Sequence, residues 1–381
     1  MIRLLNKADC SGCGACRDAC LAKAVCMEED EEGFLYPKID QEKCVHCGRC
    51  DAVCPILNVD QIAFSGIAPI AYAVRNKNEN TRKKSSSGGV FSEIASFIIS
   101  VGGVVFGAAM DDECQVLHIA IDKIEDIEKL QGSKYVQSNL GDAYMQAKKY
   151  LDEGRVVLFT GTPCQIGGLH NFLKREYEHL YTQDIICHGV PSPMVLKKYV
   201  KYQEKKHGAN LQKMLFRHKA YGWKKSSVCL EFDNNTKWVK AANDDLYMRA
   251  FLWNLSLRPS CYSCAFKTKY RNSDFTLADF WGVDNICPNF DDGWGTSLVI
   301  THSNKANKLL KKMLPCFIYE RVNFEESIKY NSSMTKSVSL PKERMPFFVS
   351  IRKKGFEGVR KYVRTPISQK LKRIIKRVLK I

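Results

Sequence analysis

Two cysteine boxes near the N-terminus have a spacing that can hold an inorganic cube: Cys10-x2-Cys13-x2-Cys16-x3-Cys20 and Cys44-x2-Cys47-x2-Cys50-x3-Cys54-Pro55. Four thiolates crowded into one loop suit the corners of a 4Fe-4S cluster, whereas tetrahedral zinc usually takes two separated cysteine pairs or cysteine with histidine. Zinc is the minor alternative. Where two such boxes occur together, the fourth cysteine of each ligates the other cluster. Cys10, Cys13, Cys16 and Cys54 are therefore expected around one centre, and Cys44, Cys47, Cys50 and Cys20 around a second. The chemistry these residues offer is one-electron transfer.

Over roughly the first sixty residues the repeat resembles a bacterial two-cluster ferredoxin. One departure is Cys20-Leu21, where the family usually has Cys-Pro, so the turn that swings Cys20 across is less well fixed. Between the boxes, Gly33-Phe34-Leu35-Tyr36-Pro37 reads as short hairpin strands that wrap the clusters and keep solvent away.

A second cysteine group lies in the body of the chain without compact spacing. Cys164 sits in Gly161-Thr162-Pro163-Cys164-Gln165, Cys187 in Ile186-Cys187-His188-Gly189, and Cys261-x2-Cys264 forms a pair, each in an expected loop at the end of an element. From the residues alone the pair reads equally as a redox dithiol or half a zinc site, and Cys164 and Cys187 as ordinary buried thiols. Ser85-Ser86-Ser87-Gly88-Gly89 runs directly into a helix from Val90, which is either a backbone cradle for phosphate or a polar turn with a serine cap. Cys26, Cys114, Cys229, Cys287 and Cys316 have no partner at ligand spacing and read as buried thiols. Cys287, just beyond Asp279-Phe280-Trp281-Gly282, is a candidate substitute ligand. His188 offers a proton donor or a cofactor neighbour, against a histidine satisfied by local hydrogen bonds.

The elements that must position these residues alternate. Strands are expected over 71–75, 103–109, 117–121 and 156–160, and helices over 90–100, 142–151, 165–174 and 193–205, which is the rhythm of an α/β domain. Beyond residue 210 the strands 213–217, 227–232 and 238–240 follow in antiparallel style, with a turn at Asn234-Asn235. The uncharged run from Ile94 to Met110 is broken by Ser96, Ser100, Gly102 and Gly103, and reads as a buried helix, turn and strand rather than a membrane span. The fold class is therefore α+β: a small two-cluster domain followed by an α/β domain with an antiparallel portion.

Taken together, Ser86-Ser87-Gly88-Gly89-Val90-Phe91-Ser92, Gly132-Ser133-Lys134-Tyr135, Gly161-Thr162-Pro163-Cys164-Gln165, Cys187-His188-Gly189, Arg258-Pro259-Ser260-Cys261-x2-Cys264 and Ser273 to Gly282 resemble the family of coenzyme F420 hydrogenase/dehydrogenase beta subunits. The resemblance runs in order from about residue 70 to 320. It implies an FAD-containing reductase domain in which Cys164, Cys187, Cys261 and Cys264 ligate a third 4Fe-4S centre. It also implies that Ser87, Gly88 and Gly89 contact the flavin phosphate, with Lys134 and Gln165 near the cofactor. Asp279 and Lys267 belong to the same motifs, and a structural ion pair accounts for them as well as a cofactor contact does. The expected organisation is a ferredoxin-type domain at 1–60, reductase parts at 68–150 (phosphate loop) and 151–345 (third cluster), and a tail at 352–381.

The net charge of +17 is concentrated in that tail, where lysines and arginines stand against the single acid Glu357. Ile367, Leu371, Ile374, Ile375, Val378 and Leu379 share one helical face, and Lys370, Arg373, Lys376, Arg377 and Lys380 the other. Such a helix lies on an anionic membrane surface or acidic partner, or caps its own core. Nucleic acid is not expected, because no aromatic residues interleave with the charges. The 17 cysteines and the lack of a basic-then-apolar leader point to a reducing compartment, the cytoplasm, with the inner membrane surface as a docking option. The family resemblance implies an oxidoreductase passing electrons between FAD and the clusters. Coenzyme F420 is its candidate substrate, and its redox partner is ferredoxin or another electron-transfer subunit. The alternatives are a ferredoxin-dependent reductase of an organic acceptor and, within a larger complex, a non-catalytic electron-transfer subunit.

Overall fold

The computed structural model describes residues 6–59 and 67–363. In the N-terminal part the strands β1 (Val25–Glu29) and β2 (Leu35–Ile39) pair antiparallel, and each cysteine box ends in a one-turn helix, Ala15–Asp18 or Arg49–Ala52. The hairpin expected between the boxes is thus present.

The body is built on an eight-stranded mixed sheet. Its strands are β3 (Ile70–Asn76), β4 (Val104–Met110), β5 (Val116–Ile121), β6 (Val157–Thr160) and β7 (Leu180–Ile185), joined after a separate meander, β8 (Leu211–His218), β9 (Ser227–Phe232) and β10 (Lys237–Ala241), by β11 (Phe275–Asp279), β12 (Ser297–Thr301) and β13 (Phe317–Val322). The order across the large sheet is β13-β3-β12-β11-β7-β6-β4-β5. β4, β6, β7 and β11 run parallel, and antiparallel strands flank them on both sides. The sheet takes strands from both sides of the expected division at residue 150, so the two reductase parts share one sheet.

Alternation along β4 and β6 explains why both faces are covered. Val105 and Leu158 point into one core with the helices Val90–Ser100 and Asn304–Met313, while Val104, Phe106, Val157 and Phe159 point into another with Ala143–Asp152 and Pro163–Leu173. Within Val90–Ser100, Ile94, Ala95 and Ile98 are fully buried, the stripe a helix presents to a sheet.

A third core lies between the β10-β9-β8 sheet and the helices Pro193–His207, Leu246–Leu252 and Arg344–Lys354, and it admits Phe34 and Tyr36 from the N-terminal hairpin. The docking is polar as well as apolar. Buried Arg344 donates to Glu32 Oε1 at 2.9 Å and to Leu257 O, and the Ser192 hydroxyl donates to Glu32 O.

The tail expected from residue 352 begins inside a helix. Arg352, Lys353 and Lys354 close Arg344–Lys354, and Phe356, Val359 and Val363 are buried in the third core. Residues 364–381, which hold the amphipathic stretch, lie outside the described residues. Among the described residues no helix is long and apolar enough to cross a membrane.

Candidate cofactor sites

Because β6, β7 and β11 are parallel neighbours, they deliver their following loops to the same edge of the sheet. The segments that follow carry Thr162 with the first turn of the helix Pro163–Leu173, which starts two residues before the expected 165 and places Cys164 in the helix rather than in a loop, then Ile186 to Gly189, and Phe280 to Gly282. The crevice beyond the carboxyl ends of parallel strands is where open α/β sheets bind ligands. The short turn Pro259–Ser263 brings Cys261 and Cys264 to the same place.

Cys164, Cys187, Cys261 and Cys264 together line one cavity of about 100 Å³. Burial pushes the Cys164, Cys187 and Cys261 thiols up, and the neighbouring cysteines push them further: Cys264 and Cys187 act on Cys164, and Cys187, Cys164 and Cys264 on Cys261. Loading a metal centre here must therefore displace protons from buried sulfur. Among the described residues no group of three or more His, Cys, Asp or Glu side chains is arranged to hold a metal ion. Four cysteines around one small cavity are the donor set that a polynuclear iron-sulfur cluster takes.

In the first box, Cys13 and Cys16 each lie in the electrostatic field of Cys10 and of Cys54, which crosses from the second box. Burial is the main cause that lifts Cys16 to about 12. Cys20, Cys44 and Cys50 are half-buried and Cys47 is exposed, and Cys20 Sγ accepts from Ala24 N at 3.3 Å. Cys50 of the second box also acts on Cys16. The first set abuts the body directly. A Cβ on Gly168, in the helix Pro163–Leu173 that also carries Cys164, would meet Cys13 Sγ at 3.0 Å, and Cys13 is among the charges felt by Cys164.

A larger cavity of about 1170 Å³ opens on the other side of the Cys187 loop. Ser87, Gly89, Lys134 and Gln165 line it, and Cys187, His188, Gly189 and Val190 line both cavities. The helix Val90–Ser100 starts from Gly89, whose φ of 85° is left-handed and which supplies no side-chain cap, so the reading of a serine cap does not hold. The serines are tied elsewhere: Ser86 Oγ to Ser133 Oγ at 2.9 Å and Ser87 Oγ to Thr296 O at 2.7 Å. Lys219 Nζ holds the loop from outside by donating to Ser87 O at 3.0 Å and Trp294 O at 2.7 Å. Lys134 Nζ donates to two carbonyls, Lys129 O and Gln131 O, and desolvation lowers its ammonium to about 7. A lysine in that state favours an anion beside it.

Several expectations need correction. Gly88 does not line the cavity: its N–H donates to Ser297 Oγ, and a Cβ there would meet Val74 O at 2.3 Å, so its smallness serves packing against β3 and β12. Gln165 lines the cavity but spends its amide in a capping box with Thr162 and a bond to Ser138 Oγ. Asp279 and Lys267 do not pair with each other. Asp279 takes Arg217 at 2.8 Å and Trp223 Nε1 at 3.0 Å, while Lys267 donates to the carbonyls of Cys187 and Ser333. Cys26 and Cys316 are exposed and Cys114 is half-buried rather than buried: Cys26 lies on the outer face of β1, and Cys316 ends the short turn before β13. Cys287 packs with Phe280 and Val283 in a separate core and does not join the four cysteines. His188 is satisfied locally by Asn254 Oδ1 at 2.7 Å.

Other residues of the site give little sequence signal. His118 lines the large cavity from β5; its Nε2 donates to Thr160 O at 2.9 Å, and burial lowers it to about 4, so it stands neutral. Trp281 stacks on buried Trp223 at 5.3 Å. Arg258 is wholly buried between the boxes and the body, a role that an arginine beside a Pro-Ser-Cys run does not announce.

Family models match in the same order along the chain. A 4Fe-4S dicluster domain covers residues 9–57. Residues 71–144 match the N-terminal part of the coenzyme F420 hydrogenase/dehydrogenase beta subunit, and residues 154–326 match its C-terminal part. The chain belongs to the family of coenzyme F420 hydrogenase/dehydrogenase beta subunits. This member carries a 4Fe-4S dicluster domain at its N-terminus. Among its relatives are a Methanosarcina mazei F420H2 dehydrogenase subunit, 26% identical over 41% of this chain and 46% of that protein, and an uncharacterised protein of Methanocaldococcus jannaschii, 27% identical over 45% and 54%. The chain thus spans about half the length of these curated relatives. A chain of the F420-reducing [NiFe] hydrogenase complex from Methanosarcina barkeri superposes with a TM-score of 0.45 at 15% identity, covering 70% of this chain and 89% of that one.

Proposed function

We propose that this protein is an iron-sulfur flavoprotein oxidoreductase. FAD would occupy the large cavity, Cys164, Cys187, Cys261 and Cys264 would hold a third 4Fe-4S centre, and the two N-terminal boxes would carry electrons onward to a redox partner. The observation that carries this reading is the peptide Cys187 to Val190, which forms a wall of both cavities. A ligand in one cavity is then separated from a centre in the other by a single stretch of backbone.

When bound, FAD exchanges electron pairs with an organic substrate and passes single electrons to clusters. The chain's own residues supply position and solvent control. Lys134 and the uncapped start of Val90–Ser100 offer positive potential to a phosphate. Lys219 keeps the serine loop in place through its carbonyls. The close contact at Gly168 brings the first box to the third site. Family membership makes reduced coenzyme F420 the first substrate to test.

The test is to purify the chain anaerobically with its clusters reconstituted and FAD supplied, add reduced coenzyme F420, and follow flavin and cluster absorbance. Rapid bleaching supports the deazaflavin reading. Bleaching by dithionite or reduced ferredoxin alone would instead make the protein a ferredoxin-driven reductase of another organic acceptor.

A further inference from the structure

We infer that Arg258 is a positioning residue for the electron path: its positive charge is balanced by the cysteine-ligated centres on either side of it, and it sets how readily both accept an electron. The inference rests on the third centre proposed above. Arg258 has no exposed surface. Its guanidinium donates to Cys10 O at 2.6 Å, to Gln137 Oε1 at 3.0 Å and to Leu35 O at 2.9 Å, all neutral acceptors, and lies 4.1 Å from the centre of the Tyr36 ring. None of these acceptors carries charge, no carboxylate pairs with Arg258 among the described residues, and a buried cation without a counter-ion is strongly unfavourable.

The surroundings indicate what balances it. Arg258 lines the cavity of Cys164, Cys187, Cys261 and Cys264, and its carbonyl accepts from Cys261 N. On its other side it grips the backbone of Cys10 and crowds Gly12, where a Cβ would fall 2.7 Å from its Nη1. Both cysteine sets become anionic when they ligate iron, and reduction adds one more negative charge to each. A fixed positive charge between them favours that reduction at both.

Two other cations face the third site. Lys267 donates to Cys187 O and Ser333 O, and Arg271 lies 3.9 Å from buried Asp184. Neither makes the contact with the first box that distinguishes Arg258. The competing explanation is that Arg258 only pins the boxes to the body, which would leave potentials unchanged once the protein had folded and loaded its iron.

Anaerobic redox titration followed by electron paramagnetic resonance, with iron content measured on the same samples, separates these. In Arg258→Gln the first and third centres should be harder to reduce by about tenfold in the reduced-to-oxidised ratio, or about 59 mV for a one-electron couple. The centre of Cys44, Cys47 and Cys50 should not move. Arg258→Lys should restore most of the shift. If Arg258→Gln does not fold, Gln137→Glu places a carboxylate against Arg258 without removing the side chain, and should lower the same potentials. Full iron with unmoved potentials in either variant overturns this inference alone. Iron for only the two N-terminal centres in the unaltered protein overturns the third-centre reading and this inference with it.

Discussion

At the scale of single residues the cysteines divide by what surrounds them, and each division has a measurable consequence. Cys164 and Cys261 are half-buried, with desolvated thiols that are electrostatically coupled to the rest of their set. Replacing either by Ala should lower bound iron by about a third while leaving the ferredoxin-type signals intact; unchanged iron would leave only the N-terminal clusters. Lys134 gives a pH dependence. Its folded value of about 7 lies below the ordinary 10.5, so the unfolded chain binds the proton more tightly between those values, and the lysine's cost to stability is fully present below pH 7 and disappears toward 10.5. An anionic cofactor beside it reverses the preference and draws the proton back. Flavin affinity should therefore fall as pH rises above about 7, and Lys134→Met should flatten that slope in a fluorescence titration. A slope that survives the substitution would place the phosphate elsewhere.

At the scale of elements, packing between parts of the chain carries the predictions. Glu32 and Arg344 are both buried and join the N-terminal hairpin to the helix Arg344–Lys354. Glu32→Ala strands the guanidinium and should cost about 3–5 kcal/mol in denaturant unfolding; a loss under about 1 kcal/mol would mean that water reaches Arg344. Gly168→Val should disturb the first box, because Cys13 Sγ already sits where its Cβ would go. Local elements were legible in the sequence where periodicity is strong: Val90–Ser100 is found where its apolar spacing put it, and β9 spans the expected 227–232. The position of β11 at the centre of the sheet was not legible. Phe275–Asp279 is a short strand whose partners β7 and β12 lie far away in sequence, and pairing over such distances leaves no local mark. The four body cysteines were legible only through motif resemblance, since their spacing in sequence says nothing of the cavity they share. Gly88 shows the limit of that route. The motif places it in a phosphate loop, but its surroundings use it for contact with β3.

At the scale of the whole molecule, the N-terminal cluster region and the body are bound together by buried groups rather than by a linker alone. Arg258 reaches Cys10 and Leu35, Ser192 and Arg344 reach Glu32, and Phe34 and Tyr36 enter the third core. The 5 tryptophans all lie beyond residue 220, so their fluorescence reports the body alone, while cluster absorbance reports mainly the boxes, which would hold two of the three proposed centres. Heating under anaerobic conditions should make the two signals disappear together. A cluster signal lost well before the fluorescence changes would show that the boxes unfold independently.

The peptide Cys187 to Val190, with one face toward each cavity, also constrains how this protein can be re-engineered. A substitution there chosen to admit a new substrate would alter the lining of the small cavity at the same time, so its effects would not add to those of changes at Cys164, Cys261 or Cys264. Ser86, Ser133 and Lys225 border the large cavity and not the small one. Libraries that diversify acceptor choice should begin at Lys225, because Ser86 and Ser133 hold each other at 2.9 Å beside the start of Val90–Ser100.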